Sequence, residues 1–335
     1  MCVLVADQPC HYNDSIQNYG RVHMFSINNT KVIFVILGLG LAMTITSCAD
    51  RASLEVSYAV QDELKESRIF AEGVVSTNRE QNLSFTPDGK TIFFERASNG
   101  RGTLYASDFV DGKWAQPYIP GFAIDGQSEG NAFVSPDGTK VYFTSTRPHA
   151  GSAAGGYDIW YAERSEGGWS EAIHVGMPLN SQYGETYPAV AANGNLYFNS
   201  ARPDSDGRIA VYMSEFKDGG YSKPTLLGEA INKGQTHSLT PYIAPDESYL
   251  IFCLVLNDSD ADLYISYNQD GQWLPAEPLS PAVNRIGSIE TTPSMSPDGK
   301  YFFFSRLNGT GENGGTIYQI EAVHAGISSE GRNRT

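Results

Sequence analysis

The chain has 335 residues, 38 acidic and 23 basic, with a formal net charge of −15. So acidic a chain lacks the basic surface that phosphate backbones require, which excludes nucleic acid as a partner. It also has no metal-ligand Cys/His spacing, phosphate loop or nucleophile elbow, so the commonest catalytic signatures are missing.

In chain order, Lys31 precedes an almost unbroken apolar run, Val32 to Met43, followed by Ile45-Thr46-Ser47-Cys48. The run is too short to span a bilayer comfortably and fits the hydrophobic region of a signal peptide. A small residue directly before Cys resembles the lipobox of bacterial lipoproteins. That resemblance implies acylation of Cys48 and a place in the bacterial cell envelope, anchored to the outer membrane through lipid alone. Residues 1–23 carry no apolar pattern, so Met24 is a second candidate start. Residues 1–47 are therefore set aside as leader. Their loss removes Asp7, Asp14, Arg21 and Lys31 and leaves the net charge unchanged. Residues 48–68 read as a tether with one helical turn around Asp62-Glu63-Leu64-Lys65. Cys253 reads as a small buried apolar residue, and no intrachain disulfide is expected.

From residue 69 the sequence repeats itself. Phe85-Thr86-Pro87-Asp88-Gly89 leads into Thr91-Ile92-Phe93-Phe94, and Val134-Ser135-Pro136-Asp137-Gly138 into Val141-Tyr142-Phe143. Worn copies stand at Ala191-Ala192-Asn193-Gly194 and Ile243-Ala244-Pro245-Asp246. A full copy returns at Met295-Ser296-Pro297-Asp298-Gly299. Pro presets a turn, Asp bonds its own backbone and Gly supplies positive φ, so each copy is strand, tight turn, strand. A third strand follows in each, beginning near Thr103, Asp158, Ile209, Asp262 and Thr316. Trp114, Trp169, Tyr221 and Trp273 then open a fourth. The fifth copy lacks that strand, and Phe70-Ala71-Glu72-Gly73-Val74-Val75 is expected to supply it and close a ring. The fold class is all-β: a β-propeller over residues 69–322, with five blades of four antiparallel strands and six as the alternative. Residues 323–335 read as a disordered tail.

The repeat resembles the WD40-like propeller repeat of TolB-type periplasmic proteins. Several members of that family are six-bladed, and no α/β domain of the kind that precedes the propeller in TolB is visible here.

One charged pattern recurs. Three positions before Leu83, Ala132, Pro188, Pro241 and Pro293 stand Glu80, Glu129, Glu185, Ser238 and Glu290. Past the second strand stand Arg96, Arg147, Arg202 and Arg306, whereas the fourth repeat has Cys253-Leu254-Val255. The repeat that lacks Glu also lacks Arg, so the two are expected to pair near one channel mouth. Such pairs stitch blades together, or their spare carboxylates bind a cation or sugar, with His237 where the symmetry breaks. No cofactor is implied, and a metal ion is left open as the cation. The function expected is binding: a monomeric scaffold for an envelope protein or glycan. The alternative is a glycoside hydrolase or lyase using carboxylates at the channel mouth.

Overall fold

The computed structural model describes residues 2–5, 23–27, 30–35, 58, 63–150, 156–234, 236–257, 259–307 and 314–327. It divides into two compact units, Met1–Leu54 and Glu55–Thr335. In the first, Cys2–Val5, His23–Ile27 and Thr30–Val35 form an antiparallel sheet with Thr30–Val35 in the middle. The rest of the expected leader's apolar run and Cys48 lie outside the described residues. Among the described residues no helix is long and apolar enough to cross a membrane.

The second unit is a series of antiparallel meanders. Their inner strands are Glu80–Phe85, Glu129–Val134, Glu185–Val190, Ser238–Ile243 and Glu290–Met295. Each leads across its turn to a second strand: Thr91–Ser98, Lys140–Ser145, Leu196–Ser200, Tyr249–Asn257 and Tyr301–Leu307. The turn is closed by its own side chains. Thr86 Oγ1 donates to Asp88 at 2.6 Å, the Lys90 N–H donates to the same carboxylate at 3.0 Å, and Gly89 takes φ +67°. The second strands are buried on both faces, which is why they read as unbroken apolar runs without alternation. Phe93, Phe143, Phe198, Phe252 and Phe304 sit fully or almost fully inside the layers between meanders.

The third strands are Arg101–Val110, Asp158–Ser165, Ala210–Ser214, Asp260–Gln269 and Gly315–Glu321. The fourth position is broken in two. A hairpin stub holds the expected aromatic, as at Gly168–Trp169, and a second short piece pairs farther back, as Ile173–His174 does with Trp160 and Tyr161. The inner strands touch one another in cyclic order, the fifth against the first. The ring's last outer piece comes from the N-terminal side: Arg68–Ile69 pairs with Tyr318 and Gln319, and the Phe70 N–H donates to Ile317 O at 2.9 Å.

Four expected boundaries are corrected. The closing strand is Arg68–Ile69 and not the expected Phe70 to Val75, because Ala71 (φ +44°) and Gly73 (φ +79°) turn the chain at once. The tether is partly core: Leu64 is buried, and the Tyr58 ring meets Phe85 edge-on at 5.4 Å. Residues 63–65 are irregular, not helical. The tail begins later than expected, since Ala322–Ala325 is a helix that helps bury Ala325 and Ile327 beside Leu279 and Val283.

Inner strands begin at the Glu or Ser itself, three residues before Leu83, Ala132, Pro188, Pro241 and Pro293. Each contains a bulge whose third residue has positive φ: Asn82, Asn131, Tyr187, Thr240 and Thr292, between +48° and +57°.

A second repeated device ties the crossover loops down. The Asn180 Oδ1 accepts from the Ile159 N–H at 2.8 Å and its Nδ2 donates to Ile159 O at 2.9 Å. Asn232 does the same to Val211 and Asn284 to Leu263. Asn232→Ala would orphan the buried Val211 N–H, while Val211 O keeps the Leu227 N–H, and should cost about 2 kcal/mol in urea unfolding. Asn232→Asp should cost more at pH 8, where a buried carboxylate replaces the Nδ2 donor and faces the Val211 and Leu227 carbonyls, and less at pH 4, where the protonated carboxyl donates again.

Candidate functional site

All four expected Glu–Arg pairs form. Arg96 Nε lies 2.7 Å from Glu80, Arg147 Nε 3.0 Å from Glu129, Arg202 Nη2 2.9 Å from Glu185 and Arg306 Nε 2.6 Å from Glu290. The four carboxylates are between 0 and 2% exposed. Each is held by further donors from the crossover loop or strand. Glu80 takes Thr77 Oγ1 at 2.6 Å, Glu129 takes the Ile124 N–H at 2.9 Å, Glu185 the Ser181 N–H at 2.7 Å and Glu290 the Ser288 Oγ at 2.7 Å. The guanidinium groups bond loop carbonyls in turn: Arg147 with Phe122 O at 3.1 Å and Arg306 with Val283 O at 3.0 Å. They also lie over aromatic faces, Arg306 4.4 Å from the Tyr318 centroid and Arg147 4.9 Å from Trp160. Burial lifts the Glu185 carboxyl above its usual range even though Arg202 and Ser181 oppose it.

In the fourth meander the substitution is matched on both sides. Ser238 stands opposite Leu254 in the register that sets Glu290 opposite Arg306. Ser238 Oγ donates to Ile231 O at 2.9 Å, so a neutral bond replaces the charged one. His237 is partly exposed, and its Nδ1 accepts from the Ile209 N–H at 2.9 Å, which fixes the edge of the third meander. Cys253 is buried, and desolvation pushes its thiol up to about 12.

The channel is shut at its waist. Asn82, Tyr187, Thr240 and Thr292, with their neighbours, leave about 10 Å³, room for one water at most. On the turn side the mouth is a hollow of about 150 Å³ lined by Phe85, Phe133, Tyr242 and several prolines. On the opposite side a cleft of about 310 Å³ opens across the first three meanders, lined by Gln81, Glu95, Arg101, Glu129, Tyr157 and Tyr187. Larger hollows of about 430 and 1030 Å³ lie among the turns, where Asp137 and Asp246 are engaged by their own turn residues.

Glu95 is the residue that sequence reasoning missed. It follows the buried Phe94 of its second strand. The residues after the corresponding Phe in the other meanders are Thr144, Asn199, Cys253 and Ser305, all neutral and buried. Glu95 is only 7% exposed, yet among the described residues no cation pairs with it. Gln81 Nε2 and Asn131 Nδ2 each donate to one carboxylate oxygen at 3.0 Å. Burial, against those two amides, pushes its carboxyl up to about 7. Room for it is made by Gly102 and Gly130, where a side chain would overlap the carboxylate. The residues that stand in the place of Gly130 elsewhere are Gln81, Thr186, Leu239 and Thr291. The fivefold pattern is therefore broken twice at one spot, in a concerted way.

No family model matches the chain, and no curated protein matches it. Solved structures do. A thermostable family-43 glycoside hydrolase superposes with a TM-score of 0.52 at 12% identity, over 75% of this chain and 91% of that one. An endo-arabinase from Bacteroides thetaiotaomicron VPI-5482 gives 0.49 at 15% identity, over 74% and 94%. TolB from Acinetobacter baumannii gives 0.46 at 16%, over 73% of this chain, which spans 54% of that TolB. The likeness is one of fold: the chain is a β-propeller protein.

Two outcomes follow from this geometry. Glu290→Ser should destabilise by about 3 kcal/mol or more, because Arg306 keeps a buried charge. Adding Arg306→Leu should recover most of that loss by copying the fourth meander, and a double-mutant cycle in guanidinium reads the coupling. For Glu95 the folded protein holds a proton that the unfolded chain gives up near the ordinary carboxylate range. Stability should therefore fall as pH rises from about 4.5 to about 7, by about 3 kcal/mol, and then level off. That component should vanish from the unfolding profile of Glu95→Gln.

Proposed function

We propose that the chain is a bacterial cell-envelope lipoprotein whose meanders form a five-bladed propeller, and that the propeller is a binding module. The ligand site is the cleft over Glu95. The observation that carries this reading is the concerted exception of Glu95 and Gly130 in an otherwise repeating frame, facing a cleft that dead-ends on a closed waist. A site where a repeat departs from its own rule at an energetic cost is one kept for something other than stability. The four Glu–Arg pairs act as staples that hold the rim loops, and the ligand is an envelope glycan or a side chain of an envelope protein. Acylation of Cys48 tethers the module to the outer membrane, with its acidic surface held off the anionic lipid.

A glycan-cleaving reading has one observation in its favour: a carboxyl near pH 7 is the acid such chemistry employs. It needs a second free carboxylate. The other one in the cleft, Glu129, is already taken by Arg147, Ser145 Oγ and the Ile124 N–H. Binding is therefore the better-supported function.

The test is a thermal-shift series on the full chain in detergent, with envelope oligosaccharides and lysine-bearing peptides as additives. A ligand of the folded state should raise the melting temperature in a saturable way, and Thr186→Trp, which fills the cleft from its wall, should abolish the rise. A rise that survives Thr186→Trp would place the site elsewhere. Cys48→Ser should move the protein from the membrane to the soluble fraction of the expressing cell.

A further inference from the structure

The cleft holds a charge problem that the protein does not solve by itself. The Glu95 carboxylate is buried, and its two contacts are neutral amides, Gln81 Nε2 and Asn131 Nδ2. The other charged groups of the cleft do not answer it. Glu129 is consumed by Arg147, and Arg101 is exposed at the rim, where its Nη1 reaches Gly126 O at 3.4 Å. Tyr157 donates its hydroxyl to Ser128 Oγ at 2.9 Å, and burial together with Glu95 pushes the Tyr187 hydroxyl up, so it stays neutral. Every other buried Glu at this end of the ring has an Arg over it.

We propose that the cleft binds a primary ammonium group carried by the ligand, which docks on Glu95 and supplies the cation that the fold omits. This rests on the reading of the cleft as the binding site. The donor chemistry favours ammonium over two alternatives. A divalent ion would want more than one free carboxylate. A guanidinium fork needs both oxygens open along one edge, and here each already accepts an amide N–H, which suits a compact point charge better. The glycine floor at Gly102 and Gly130 leaves backbone and carboxylate, not side chains, against the incoming group. An ionised carboxylate waiting without a partner in a low-dielectric site gains more from a cation than an exposed one does.

An amino sugar and a lysyl side chain present the same group, and calorimetric titration of the full chain separates them. The probes are the glucosamine dimer, its neutral N,N′-diacetyl form and Nα-acetyl-lysine amide, each at pH 7.5 and 5.5. The ammonium probes should bind at pH 7.5, the diacetylated dimer should not, and the affinity of Nα-acetyl-lysine amide, whose amine is charged at both pH values, should fall about twenty-fold at pH 5.5 as Glu95 takes up its proton. The tighter of the two ammonium probes names the source. Glu95→Gln should abolish the preference for ammonium, and the pH series on the unmodified protein reads the same group if that variant fails to fold. Equal binding of the neutral and charged dimers would overturn the inference while leaving the binding site standing. No binding of either ammonium probe, or binding unchanged by pH, would overturn it too.

Discussion

One backbone compromise, made in every meander, governs this structure: a residue other than glycine held at φ near +50° in the third place of the inner strand. Such a conformation is costly, and for Thr240 and Thr292 a β-branched side chain adds to it. The surroundings hold it in place. The Thr240 N–H donates to Asn199 Oδ1 at 2.6 Å, the Thr292 N–H to Thr240 Oγ1 at 3.2 Å and the Asn82 N–H to Ser305 Oγ at 3.2 Å. Two consequences follow from the extra residue. Four of the five residues, Asn82, Tyr187, Thr240 and Thr292, converge and close the channel, and the register beyond the bulge sets each leading Glu against its Arg or beside it. The staples at the rim and the plug at the waist are thus two results of one kink.

Much of the frame was legible because its devices use residues with narrow meanings. Pro-Asp-Gly punctuates every full copy of the turn, and the joint loss of Glu and Arg in the fourth repeat announced their pairing before any distance was known. The bulge was not legible, since Asn, which tolerates positive φ, stands there in only two copies, Tyr and Thr carry no turn signal, and only the register reveals the inserted residue. Tyr58 and Leu64 escaped notice for a related reason. Leu64 is a single apolar residue among Glu63, Lys65 and Glu66, with no period to mark it as core, and Tyr58 belongs to a short alternation with Leu54, Val56 and Val60 that lies ahead of the first repeat. The repeated Asn180, Asn232 and Asn284 were in plain view, but they fall in loops that no hydrophobic pattern selects.

Glu95 was missed through the choice of column. Aligning repeats on Glu and Arg highlights what they share, and the candidate site lies where one repeat departs. The column after the buried Phe holds Glu95, Thr144, Asn199, Cys253 and Ser305, and a difference of charge at a buried position stands out there without a structure. What no sequence column could give is the neighbour. Gly130 belongs to the next repeat, and only the packing of adjacent meanders sets it beneath the carboxylate. The rim therefore combines four saturated staples with one unsaturated exception, and the first give the second a rigid setting.

The closing strand carries a consequence for how the molecule is made. Arg68 to Phe70 leave the ribosome early, yet their partners at Ile317 to Gln319 are among the last described residues to emerge. Four meanders have their own strands at hand as they are synthesised, whereas the fifth must wait to recruit an edge that has stood unpaired throughout. Tyr58 and Leu64 belong to the same late event, since both dock on that last-formed layer. The nascent ring is thus an open arc with one exposed lip at each end, and the step that makes it a closed disc is also the step that shields both lips from neighbouring chains.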